Sequence, residues 1–166
     1  MVPEVEPVVS AFRARFAAAS IAKGIPTHIT LLIPYVPAAR LDDDALSAAR
    51  EHFRGVAPFA AELVAVGRFE EHVWLAPSPR DTFVELIRAT CRRYPESSYG
   101  TEFPDPVPHL TIGQVSPGVS VEAILGAAEA EIAPHLPVAF GASTATLLEE
   151  QANGTWASTT EFPFAS

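Results

Sequence analysis

Two four-residue segments share one pattern, His-Ile-Thr-Leu at 28–31 and His-Leu-Thr-Ile at 109–112, and they stand 81 residues apart. On extended backbone the side chains at i and i+2 share a face, so each segment would show an imidazole and a hydroxyl to one side and two aliphatic side chains to the other. Two imidazoles and two hydroxyls around one space suit phosphodiester chemistry. A neutral histidine takes the proton of an attacking water, and a protonated one delivers a proton to the leaving oxygen. The threonine hydroxyls would donate hydrogen bonds to the non-bridging phosphate oxygens. His28 and His109 are therefore the candidate acid-base pair, and Thr30 and Thr111 the candidate phosphate ligands. No metal or other cofactor is expected, because two histidines without an accompanying carboxylate or cysteine make a poor zinc set. Gly113 is expected on the face of His109 and Thr111, leaving room above the second pair.

Such a short pattern must be weighed against accident and against ordinary buried histidines. In a chain with five histidines and 48% hydrophobic residues, one copy arises by chance in about one chain in ten and two copies in about one in a few hundred. The remaining histidines act as controls: His52-Phe53-Arg54, His72-Val73-Trp74 and His135-Leu136-Pro137 all lack the hydroxyl. His52 and His72 are read as surface or helix-face residues.

The elements that must position the pairs follow from periodicity and punctuation. Residues 8–19 read as a helix. Residues 27–35 are β-branched and apolar and read as a buried strand ending at Pro34 and Pro37. Residues 41–54 read as a helix whose Asp42, Asp43 and Asp44 complement its N-terminal dipole. Residues 59–69 and 71–76 read as a hairpin, 79–94 as a helix, and the proline-rich 95–108 as a loop. Then come a strand at 109–115, a helix at 119–133 and strands at 138–149 and 155–162, the last pair joined through Asn153-Gly154. This order, strand, helix, strand pair, helix, then strand, helix, strand pair, reads as an internal repeat of an α+β class.

Composition limits the partners. Eleven Lys+Arg against twenty Asp+Glu leave a formal charge of −9, which disfavours long nucleic acid and anionic membranes. At 166 residues the chain is long enough for a self-sufficient core. The single Cys91 rules out an internal disulfide and is read as a small buried hydrophobe. No apolar run reaches the length of a membrane span, and the acidic N-terminus is unlike a signal peptide, so a cytoplasmic protein, acting as a monomer, is expected.

The twin HxTx tetrads, their separation and the duplicated element order resemble the 2H phosphoesterase superfamily, and within it the 2′-5′ RNA ligase-like branch. The segments THITLLIPY, VGRFEEHVWLAP, SSYGTEFPDPVPHLTIGQV and NGTW carry the resemblance over most of the chain. It implies one domain, 1–166, with a bilobal, pseudo-two-fold arrangement of mainly antiparallel sheets, outer helices and a central cleft carrying both HxTx motifs. The lobes would span about 20–95 and 105–166. It further implies metal-independent hydrolysis of 2′,3′-cyclic or ADP-ribose 1″,2″-cyclic phosphates, with His28 and His109 as acid and base and Thr30 and Thr111 on the phosphate. The segment Asp105-Pro106-Val107-Pro108 before the second motif, and Gln114 after it, lack the basic residues of RNA-processing relatives. A small cyclic-phosphate nucleotide is thus the expected partner. RNA end processing or 2′-5′ ligation, and a non-catalytic nucleotide- or phosphate-binding module, are the alternatives.

Tyr35, Tyr99 and Phe103 lie near the motifs and are candidates to stack on a base, with packing as the competing role. Trp74 and Trp156 are read as packing residues, and Arg68 and Lys23 as solvated surface residues.

Overall fold

The computed structural model describes residues 1–36 and 40–165. In chain order its elements are α1 (Glu6–Phe16), α2 (Ala18–Ala22), α3 (Asp43–Arg54), β1 (Phe59–Arg68), β2 (His72–Ser78), α4 (Arg80–Arg93), α5 (Tyr99–Glu102), β3 (Leu110–Gln114), α6 (Val121–Glu131), β4 (Val138–Ala142), β5 (Thr144–Glu150) and β6 (Trp156–Pro163). Short 3-10 turns at Pro3–Val5 and Ala133–His135 complete them. The class is α+β, as the element pattern implied.

One antiparallel sheet has the order β3-β2-β1-β4, so strands from both sides of the 95–108 segment share it. Its core face carries Leu63, Val73, Leu75, Leu110 and Ile112, all fully buried. Val9 and Phe12 of α1 and Ile124 and Ala128 of α6 close over that face. Removing this much apolar surface from water, at about 25 cal/mol per Å², is the main stabilising term.

A second, two-stranded sheet pairs β5 with β6. Its hairpin turns at Gly154, whose φ of 77° suits glycine, and the Asn153 side chain accepts hydrogen bonds from the Thr155 N–H and hydroxyl. Ala145, Phe162 and Phe164 pack there against Ala49 and Phe53 of α3 and Leu86 of α4. Phe53 stacks on Phe162 and Phe164 with ring centroids 5.8 and 6.0 Å away.

The elements depart from the sequence expectations in four places. Residues 138–149 are not one strand: the chain changes sheets at Ser143, because Phe140 belongs to the first core and Ala145 to the second. The first helix begins earlier, with Pro7 in its first turn, and breaks at Ala17. The loop at 95–108 contains the single turn α5. The fourth departure is at residues 27–35, which form no strand. Their backbone bonds are isolated ones, such as Val2 N–H to Thr27 O at 3.0 Å, rather than a ladder. Pro26 and Pro34 remove two donors that a ladder would need. The helix at 41–54 matches its expectation, with Asp42 capping Ala45 N–H at 2.9 Å.

Gly113 also differs from its expected placement. The register of β2 with β3 shifts between Val73 and Trp74, and this bulge turns Gly113 into the core. A Cβ there would stand 2.7 Å from Ile124 Cγ2 and 3.3 Å from Phe16 Cβ. Gly113→Ala should therefore destabilise the fold by about 1–3 kcal/mol through overpacking. Urea unfolding measures this, and an unchanged midpoint would show that α1 and α6 yield without cost.

Candidate active site

His28 sits on an irregular segment that is anchored from behind. Arg13 of α1 is buried and donates to Ile25 O at 2.8 Å and to the Glu6 carboxylate at 3.2 Å. The Thr27 hydroxyl donates to Val2 O at 2.9 Å. These bonds hold residues 25–27, and the next residue, His28, places Nδ1 at 2.8 Å from Pro26 O. Its aliphatic neighbours part in two directions: Ile29 packs on the first core and Leu31 on the second.

His109 reaches the same local geometry from a different support. It precedes β3, whose Leu110 and Ile112 are locked in the core, and its Nδ1 lies 2.7 Å from Val107 O. Thr111 is opposite Trp74 across the β2–β3 pair. The Phe69 ring meets the His109 imidazole edge-on at 5.0 Å, and the Trp74 ring lies 6.1 Å away. Trp74 in turn lies across Gly67, its register partner on β1, where a Cβ would approach the indole to 2.4 Å.

A backbone carbonyl only accepts, so Nδ1 carries the proton in both rings and Nε2 holds the lone pair when the ring is neutral. A ring held this way can gain or lose a proton at Nε2 without losing its anchor. Burial pushes the His28 imidazole below its ordinary pKa; the Pro26 bond opposes this, while the charges of the Met1 amine, Arg13 and His109 reinforce it. Burial likewise lowers His109, again opposed by its carbonyl bond and reinforced by His72.

His28 and Thr30 line a cleft of about 1160 Å³, as does Tyr35, whose hydroxyl donates to Ala45 O at 2.6 Å. His109 and Thr111 are not among the walls of that cleft, nor are Tyr99 and Phe103. Those last two pack on each other at 5.1 Å, and Phe103 is largely exposed. Cys91 is half-buried and lies under Gly100, and Arg68 faces Glu122 at 3.9 Å near the surface. Among the described residues no group of three His, Cys, Asp or Glu side chains converges as a metal-ligand set would. No described helix is long and apolar enough to cross a membrane.

Sequence reasoning missed Arg13, Phe69, Trp74 and His72 as neighbours of the histidines. Trp74 alternates with the buried Val73 and Leu75, so strand periodicity places it on the face of Thr111 once the register is known. Nothing in the spacing of Arg13 pointed to Ile25.

The family model described as the 2′-5′ RNA ligase superfamily matches residues 1–154. The chain belongs to this superfamily. Members of the 2′-5′ RNA ligase superfamily are 2H phosphoesterases, generally phosphodiesterases. The crystal structure of TT0787 of Thermus thermophilus is similar over 93% of this chain and 92% of that one, with a TM-score of 0.56. At 20% identity the likeness concerns the fold. No curated protein sequence matches the chain.

Burial also lowers His52, so three histidines are harder to protonate in the folded chain than in the unfolded one. Their contribution to stability is complete above the unfolded value of 6.5 and is lost as the pH falls through and below it. The urea midpoint should therefore fall between about pH 7.5 and 5.5. It should fall less when His28, His52 and His109 are replaced by Gln, and equal slopes would contradict the sign.

Proposed function

We propose that this chain hydrolyses cyclic phosphodiesters of nucleotide size, with His28 and His109 as general acid and base. The observation that supports this reading best is the matched pair of Nδ1-to-carbonyl bonds, 2.8 Å at His28 and 2.7 Å at His109, which leave both Nε2 atoms for chemistry. In the cycle, the Nε2 of the neutral imidazole takes a proton from water as its oxygen attacks phosphorus. The bond from phosphorus to one ring oxygen breaks, and the protonated imidazole delivers its Nε2 proton to that oxygen. The product is a phosphomonoester beside a free hydroxyl, and proton exchange with solvent resets the pair. Thr30 and Thr111 donate hydrogen bonds to the non-bridging oxygens, where charge builds in the transition state.

The surroundings favour a small substrate over an RNA chain. Glu70 and Glu71 occupy the turn that carries Phe69, and Asp105 ahead of the second motif is paired with Arg88 at 2.9 Å. With a formal charge of −9, the chain has little to offer a polyanion.

Hydrolysis of 2′,3′-cyclic nucleotides and ADP-ribose 1″,2″-cyclic phosphate should persist in EDTA. It should drop by at least about a hundredfold in both His28→Ala and His109→Ala. Both imidazoles lie below their ordinary value, so kcat/KM should follow a bell with its maximum below pH 6.5. Turnover indifferent to both histidines, or abolished by the chelator, would overturn the mechanism. Affinity for cyclic phosphates without product would mark a binding module instead.

A further inference from the structure

Two features of the β1–β2 hairpin run against the rules for a stable strand pair, and both involve the same ring. Gly67 stands inside β1, in register with Trp74 of β2. Glycine weakens a strand interior, and the backbone does not call for it here, since the glycines with positive φ are Gly24, Gly118 and Gly154. What the position does require is empty space. A Cβ on Gly67 would stand 2.4 to 2.6 Å from three carbons of the indole, Cη2, Cζ2 and Cζ3, well inside the distance at which carbon atoms repel. The second feature is the indole N–H of Trp74, which is buried and has no partner among the described residues. Buried donors are normally paired, so packing, and not a hydrogen bond, puts the ring there.

The neighbours of the ring supply the reason. Phe69, Trp74 and His109 are in mutual contact, with centroids 5.2 Å apart for Phe69 and Trp74, 5.0 Å for Phe69 and His109, and 6.1 Å for Trp74 and His109. The hairpin turn holds Phe69 in this contact: Phe69 N–H donates to His72 O at 2.8 Å, and Glu71 O accepts from Val115 N–H at 2.9 Å just past β3. Among the described residues the imidazole has one hydrogen bond, from Nδ1 to Val107 O. A single bond leaves the ring plane free to turn about it, and the two aromatic side chains close off that rotation.

We infer that Gly67 is a positioning residue for His109: its missing side chain seats the Trp74 indole, and Trp74 with Phe69 holds the imidazole in the orientation that its Nε2 chemistry needs. The inference rests on the acid-base reading of His109 and adds to it a residue that acts through Trp74. A glycine that weakens its strand and an indole N–H left unpaired are then both accounted for, because local rules give way where a functional group must be placed.

The test uses the full chain with Gly67→Ala, Trp74→Leu and the double variant, and reads two quantities. One is hydrolysis of adenosine 2′,3′-cyclic phosphate. The other is the NMR position of the His109 ring protons, assigned by their absence in His109→Gln. Gly67→Ala should lower kcat about 10- to 100-fold with KM within about threefold, because a misplaced acid-base group costs turnover more than binding. It should also shift the His109 resonances, which lie in the ring currents of Phe69 and Trp74. Trp74→Leu should do the same, and adding Gly67→Ala to it should cost less than about twofold more, since the carbons that the new Cβ strikes are gone. An unchanged kcat or unmoved His109 resonances in Gly67→Ala, or a full further loss in the double variant, would overturn the inference. Should Gly67→Ala not fold, Trp74→Leu decides by the same two readouts, and retained kcat with unmoved resonances overturns it. If the unaltered chain turns over no cyclic phosphate, the hydrolase reading fails by itself and the resonances decide the seating. A shift in Gly67→Ala that is absent in the Trp74→Leu background supports it, and no shift overturns it.

Discussion

The candidate site depends on a hydrogen bond made twice, from the Nδ1–H of each motif histidine to the carbonyl two residues before it. That bond selects the tautomer, limits ring rotation and turns Nε2 away from the backbone. Because the acceptor is main chain, the geometry survives a change of protonation at Nε2, which an acid-base group undergoes in every cycle.

The two supports are built differently. At His109 the support is the core itself: Leu110 and Ile112 are fully buried, and the imidazole rests against the rings of Phe69 and Trp74. At His28 there is no ladder, and the support is a set of single bonds from the N-terminal region, of which Arg13 to Ile25 O is the most costly to bury. The Arg13 guanidinium is nearly excluded from water, has one partial ion pair with Glu6 and keeps an Nε without a partner among the described residues. Such a charge is normally avoided in an interior. Its position makes protonation of His28 harder, which a bound anionic phosphate would offset.

Two cores lie behind the two motif histidines. The first, under the four-stranded sheet, is closed by α1 and α6, and the second lies between the β5–β6 hairpin and helices α3 and α4. The chain crosses from one to the other at Ser143, whose carbonyl accepts from Phe164 N–H at 2.8 Å and ties the last strand to the crossing point. The first core is tightly filled, down to Gly113 beneath Ile124, whereas the second adjoins the cleft beside His28. Tight packing thus supports one histidine, and open space adjoins the other.

Much of this was legible in the chain itself. Alternation placed Leu110 and Ile112 inside, the acidic residues at 42–44 started α3 and Asn153-Gly154 made the last hairpin, because each of these depends on side chains a few residues apart. The paired His-x-Thr-x tetrads, too, are local patterns, and they named the four candidate site residues. The strand expected at 27–35 failed because a strand needs a partner at ladder distance, and propensity says nothing about whether one is supplied. Gly113 was misplaced because a one-residue bulge, set by pairing with β2, reverses which face a residue takes. The support of His28 by Arg13 and the aromatic rings beside His109 were decided only by the tertiary structure, since each joins segments distant in the chain, and such contacts exist only once the sheets and helices have packed.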